Sequence, residues 1–108
     1  MTFYVKKNDT APSLRASLKD GGDQAIDLSD ATVNFHMRKV GASTIKVDAS
    51  AVVIGSSSDG IVQYNWTTAD TDTAGTYQGE FEVTYSDGSV ESFPNNGYIL
   101  VEILDDIT

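Results

Sequence analysis

Apolar and polar residues alternate with a period of two along most of the chain, and nowhere is a helical spacing of apolar positions sustained. Leu14, Ala16 and Leu18 interleave with Arg15, Ser17 and Lys19, which predicts a half-buried strand. Val33, Phe35 and Met37 interleave with Asn34, His36 and Arg38 in a second. Thr44–Val47 and the apolar run Ala51–Ile54 supply two more. Val62, Tyr64 and Trp66 share one phase, with Gln63 and Asn65 on the other. Tyr77, Gly79, Phe81, Val83 and Tyr85 then share an inward phase while Gln78, Glu80, Glu82 and Thr84 face water. Ser89–Phe93, Tyr98–Leu104 and an N-terminal strand around Phe3-Tyr4-Val5 complete the set, and Asp105–Thr108 reads as a frayed tail.

Turn chemistry separates these runs: Asp20-Gly21-Gly22-Asp23, Ser56–Gly60, Asp87-Gly88 and Pro94–Gly97. About eight or nine short strands at a spacing of about 8–12 residues predict an all-β fold, an antiparallel two-sheet sandwich spanning 1–108 as a single domain. One segment sharpens this to an immunoglobulin-like sandwich. In Asp70–Tyr77, Gly75 stands two residues before Tyr77 at the head of the longest alternating stretch, with Trp66 just upstream. Many such sandwiches turn their E–F corner this way, with the Tyr ring in the core and its hydroxyl bonded back to the loop backbone. The Cys that follows two residues later in antibody domains is replaced by Gly79. Trp66, Gly75 and Tyr77 therefore read as a structural corner.

Composition narrows function mainly by exclusion. The absence of cysteine removes disulfides and thiolate metal sites, and fits synthesis in a reducing cytoplasm. The N-terminus lacks the apolar stretch of a secretion signal, and no apolar run is long enough to span a bilayer. The net charge of −9 is uneven: all seven basic residues, with five of the sixteen acids, lie in residues 1–46. The remainder holds no Lys or Arg, so direct binding to a phosphate backbone is disfavoured.

Asp70 and Asp72 are the best carboxylate pair for calcium, but no D-x-D-x-D-G loop with a closing Glu exists, and Asp is an ordinary turn residue. Turn chemistry is the expectation, with no metal. His36, the single histidine, falls on an outward strand phase and has no Cys partner for a zinc site. G-x-S-x-G, P-loop and G-x-G-x-x-G motifs are absent, so no catalytic residue and no cofactor is assigned and the chain reads as a non-enzyme. The last strand is apolar on both phases. Ile99, Val101 and Ile103 suit a core face, which leaves Tyr98, Leu100 and Leu104 either covered by a loop or the Phe3–Val5 strand, or free as a partner surface. In the expected layout, the strands of Arg15/Lys19 and His36/Arg38 share one sheet, and those of Glu80/Glu82, Glu91 and Glu102 share the other. Neighbours would then dock through faces of opposite sign. The candidate interface is Tyr98, Leu100, Leu104, Phe3, Tyr4, Arg15, Lys19, Arg38, Glu80 and Glu82.

A family resemblance takes the reading further. Phe3–Pro12, Leu14…Gly21, Ile26–Arg38, Gly60–Trp66, Asp72–Tyr77, Phe81–Gly88 and Pro94–Tyr98 together resemble, in order, the N-terminal domain of the phage baseplate upper protein family. The resemblance implies a non-enzymatic structural protein of a tailed-phage virion, an immunoglobulin-like attachment module docking on the tail or baseplate. Baseplate members continue into a stalk or fibre, whereas this chain stops after its last strand, so a stand-alone version is expected. Capsid decoration or a head–tail junction role is the alternative. The implied partners are other virion proteins, with homo-oligomers left open and neither nucleic acid nor membrane expected; synthesis would be in the host cytoplasm. A carbohydrate-binding or host-adhesion module is the competing class. Such a site needs exposed aromatics, and only Tyr4 and Tyr98 lie off the inward phases.

Overall fold

The computed structural model describes residues 2–107; Met1 and Thr108, at the ends of the single domain and of the tail expected from the sequence, lie outside them. The described residues form nine strands: β1 (Thr2–Lys6), β2 (Leu14–Ser17), β3 (Thr32–Lys39), β4 (Ile45–Ser50), β5 (Val52–Val53), β6 (Ile61–Tyr64), β7 (Gly75–Thr84), β8 (Val90–Phe93) and β9 (Ile99–Leu104). Single 3-10 turns, Ser57–Asp59 and Thr68–Thr71, precede β6 and β7. Six strands form a large sheet in the order β1-β9-β7-β3-β4, with β8 also on β7, and β2-β6-β5 form a smaller one. β7 organises the large sheet because it is ten residues long. Gly75–Gly79 pair with β9 and Phe81–Thr84 with β8, so those two strands run end to end along one side of β7. β3 lines the other side over its whole length.

Placing β2, β5 and β6 in one sheet and β3, β7 and β9 in the other is the strand partition of an immunoglobulin-like sandwich. Two expectations are corrected. The sandwich is not wholly antiparallel, since β1 runs parallel to β9, Phe3 beside Val101 and Val5 beside Ile103. Nor do the strands of Arg15 and of His36/Arg38 share a sheet. β3 is taken by the long β7 through eight paired positions, while β2 crosses to pair with β6.

The core lies between the sheets and is dense in aromatics. The Phe35 ring is fully buried, with ring centroids at 4.8 Å from Tyr64, 5.1 Å from Phe81 and 5.7 Å from Trp66. Gly79 makes room for it: a Cβ there would stand 2.9 Å from the Phe35 ring. An aromatic ring thus fills the space beside the position where antibody domains place a disulfide. The corner forms as expected, with Tyr77 buried and its hydroxyl donating to the Thr73 carbonyl at 2.7 Å. A second tie holds the preceding turn. Asp70 accepts from the Tyr64 hydroxyl at 2.6 Å and from the Thr67 N–H at 2.9 Å, in a capping box.

Candidate functional site

The inward phases of β7 and β9 go to the core, which leaves a broad outer face on the large sheet. Alternation in β9 buries Ile99, Val101 and Ile103 and turns Leu100, Glu102 and Leu104 outward. β1 continues this face: Tyr4 stands beside Glu102, diagonal to Leu100 and Leu104. Tyr4 is 62% exposed, Leu100 39% and Leu104 41%, so three large apolar side chains form one strip across two adjacent strands. Tyr98, 44% exposed, extends the strip to a shallow depression where it meets His36, Arg38, Ile45, Gln78 and Glu80.

The polar part of this face is mixed in sign. His36 stands opposite both Glu80 on β7 and Asp48 on β4, with its Nε2 at 3.2 Å from Asp48 Oδ1. Glu82 pairs across to Asn34, and Glu102 accepts from the Thr76 hydroxyl at 2.9 Å. Arg38 and Lys6 are the face's outward cations, against Asp48, Glu80, Glu82 and Glu102.

The structure brings Tyr4, Tyr98, Leu100, Leu104, Arg38, Glu80 and Glu82 onto this one face. It does not bring Phe3, Arg15 or Lys19 there. Phe3 is half-buried on the inward phase of β1, its ring centroid 5.8 Å from that of Trp66, because the same alternation that exposes Tyr4 turns its neighbour in. Arg15 lies on β2 of the small sheet, donating to Gln63 Oε1 at 3.1 and 2.7 Å, and Lys19 just beyond β2 sits 3.6 Å from Asp23. The expected pair of opposite-sign faces is therefore replaced by one face that carries both signs. Glu91 also changes place: it shares the phase of inward Phe93 and accepts from the Tyr85 hydroxyl at 2.8 Å. That contact and the burial of the ring push the Tyr85 hydroxyl up to about 12, burial being the larger cause. Ile45, 54% exposed at the depression, is a surface residue that alternation alone missed, since a bulge between Met37 and Arg38 shifts the β3–β4 register.

The Asp-rich corner is occupied by its own contacts. Asp70 is committed to Tyr64 and Thr67, and Asp72 accepts from Lys46 and Thr73. The Lys46 and Thr73 contacts hold the Asp72 carboxyl below its ordinary value. Among the described residues no group of three or more His, Asp or Glu is placed to hold a metal. No helix among them is long and apolar enough to cross a membrane.

The family model of the BppU N-terminal domain, the baseplate upper protein, matches residues 2–94, from the start of β1 to just past β8. The chain belongs to this family. Baseplate upper proteins are structural, and membership gives this chain a structural role in a phage baseplate, in association with other virion proteins. A solved structure, CopC from Methylosinus trichosporium OB3b, is similar over 99% of this chain and 87% of its own, with a TM-score of 0.52 at 12% identity. At that identity the likeness concerns the fold alone. A search of curated proteins finds no match.

Proposed function

We propose that this baseplate upper protein domain is a non-catalytic attachment module that docks on the baseplate or tail through the outer face of its large sheet. The observation that carries this reading is the group of Tyr4, Leu100 and Leu104, exposed on one face of two paired strands, diagonal to one another around Glu102. Contiguous exposed apolar area on a protein of this size marks an interface more often than a free surface. Acids outnumber the basic residues around the strip, so the complementary patch is apolar with a basic rim, and association slows as salt rises. The family match supports the baseplate over a capsid surface or the head–tail junction.

Leu100→Asp tests it. The side chain points away from the core, so the variant folds, with a loss of about 1 kcal/mol or less. It is then missing from purified virions. A folded variant that enters virions like the wild type contradicts the proposal. Tyr98 beside Gln78 and Glu80 also offers the exposed aromatic and polar neighbours that a sugar site requires. Glycan-array binding by the isolated domain, abolished by Tyr98→Ala, would favour that adhesion reading instead.

A further inference from the structure

The small sheet has an open side. In the immunoglobulin layout the sheet that holds β2, β6 and β5 carries a fourth strand beside β2. Here β1 pairs with β9 in the large sheet instead, and β2 is left as an edge. The Leu18 N–H donates to the Gly60 carbonyl, at the head of β6, at 2.7 Å. Backbone groups alternate sides along a strand, so the N–H and C=O of Arg15 and Ser17 point toward the open edge.

Against that edge lies a cleft of about 570 Å³, compared with about 200 Å³ for the depression beside His36. β2 and its continuation, Arg15–Lys19, form one wall, and the segment joining β8 to β9 forms the other. Leu18, Phe93 and Ile99 supply apolar lining. Among the described residues, the only charged ones in that lining are Arg15 and Lys19, in a chain where sixteen acids outnumber seven bases. Arg15 bonds to a neutral amide oxygen and has no carboxylate partner among the described residues, and the exposed Lys19–Asp23 contact is of the kind worth little.

We propose that this edge accepts an extended, acidic segment of a partner protein, added beside β2 as the missing fourth strand. The incoming main chain pairs with Arg15 and Ser17. Its inward side chains, being apolar, enter the cleft over Leu18 and Ile99, and its outward carboxylates meet Arg15 and Lys19. This goes beyond the proposed sheet-face interface and does not rest on it, since of that strip only Tyr98 borders the cleft.

The test is an amide NMR titration of the whole chain with three end-capped octapeptides: alternating Val and Glu, alternating Val and Lys, and alternating Ser and Glu. The Val–Glu peptide is expected to shift the Arg15, Ser17, Leu18 and Ile99 amides saturably and to slow exchange of the Ser17 amide. The other two bind at least tenfold more weakly. Arg15→Glu with Lys19→Glu, both on exposed side chains, keeps a folded spectrum and weakens Val–Glu binding at least tenfold. Absence of saturable shifts at millimolar Val–Glu peptide, equal binding of the Val–Lys peptide, or indifference to the double reversal would overturn the proposal. Concentration-dependent shifts of these amides without any peptide would assign the edge to a second copy and overturn it as well. None of these outcomes bears on virion incorporation of Leu100→Asp, so the two readings fail separately.

Discussion

Tyr64→Phe, Asp70→Ala and their combination measure what holds the turn before β7. The Tyr64 hydroxyl is buried and donates to a carboxylate at 2.6 Å, and that carboxylate also caps the Thr67 N–H. Hydrogen bonds to charged groups are worth about 1.5–3 kcal/mol, so Tyr64→Phe costs about 2 kcal/mol. Asp70→Ala removes both contacts and strands the Tyr64 hydroxyl in the core, for about 3 kcal/mol. The double variant is less destabilised than the sum, with a coupling of about 1.5 kcal/mol. A loss of about 2 kcal/mol corresponds to about 8–16 °C in Tm for a domain near this size. Urea unfolding read by the single tryptophan, Trp66, which packs edge-on against Tyr64, gives all four stabilities. Additive losses would refute the reasoning. So would a wild-type Tm that rises with calcium, falls with chelator and loses both responses in Asp70→Ala, because the carboxylate would then be a metal ligand.

Gly79→Ala puts a methyl group 2.9 Å from a Phe35 ring that Tyr64, Trp66 and Phe81 hold in place, and costs about 1–3 kcal/mol in the same urea assay; an unchanged midpoint would mean that the ring gives way. Gly60→Ala is more severe, since Gly60 has a φ of +67° and a Cβ there would meet the Leu18 carbonyl at 2.7 Å; soluble expression with wild-type stability would contradict this. Stability also falls in alkali. Burial raises the folded-state values of Tyr64, Tyr77 and Tyr85 above 10.0, so their contribution is complete below about pH 10 and is lost as the pH climbs through the folded values, about 12 for Tyr85. Urea midpoints that hold steady above about pH 10 would count against it.

The fold was legible wherever one residue type has one physical reason to be there. Alternation placed Val62, Tyr64, Trp66, Phe81, Val83 and Val101 in the core, and the Gly75–Tyr77 spacing located the corner. Sheet membership was not legible in the same way. Alternation says which phase of a strand is buried but not which strand lies beside it, and the opposite-sign faces failed on that point when β3 paired with β7. The Tyr64–Asp70 tie had a readable signal in the Thr67-x-x-Asp70 capping spacing, although its hydroxyl partner came only with the packing. On the outer face of the large sheet, the outward phase of β9 exposes Leu100 and Leu104, as one of two open readings required. Tyr4 joined them because β1 pairs with β9 in parallel, a register that nothing in the local pattern of either strand specifies. The open edge of β2 follows from that same strand choice and was equally invisible to it.

We infer that this domain of the baseplate upper protein family attaches through the outer face of its large sheet. Cryo-electron microscopy of the intact virion, with the chain traced into the map, tests it most directly. The sandwich is expected on the baseplate or adjoining tail with Tyr4, Leu100 and Leu104 buried against a neighbouring protein. A domain found on the capsid, or one on the baseplate whose strip faces solvent, would contradict it.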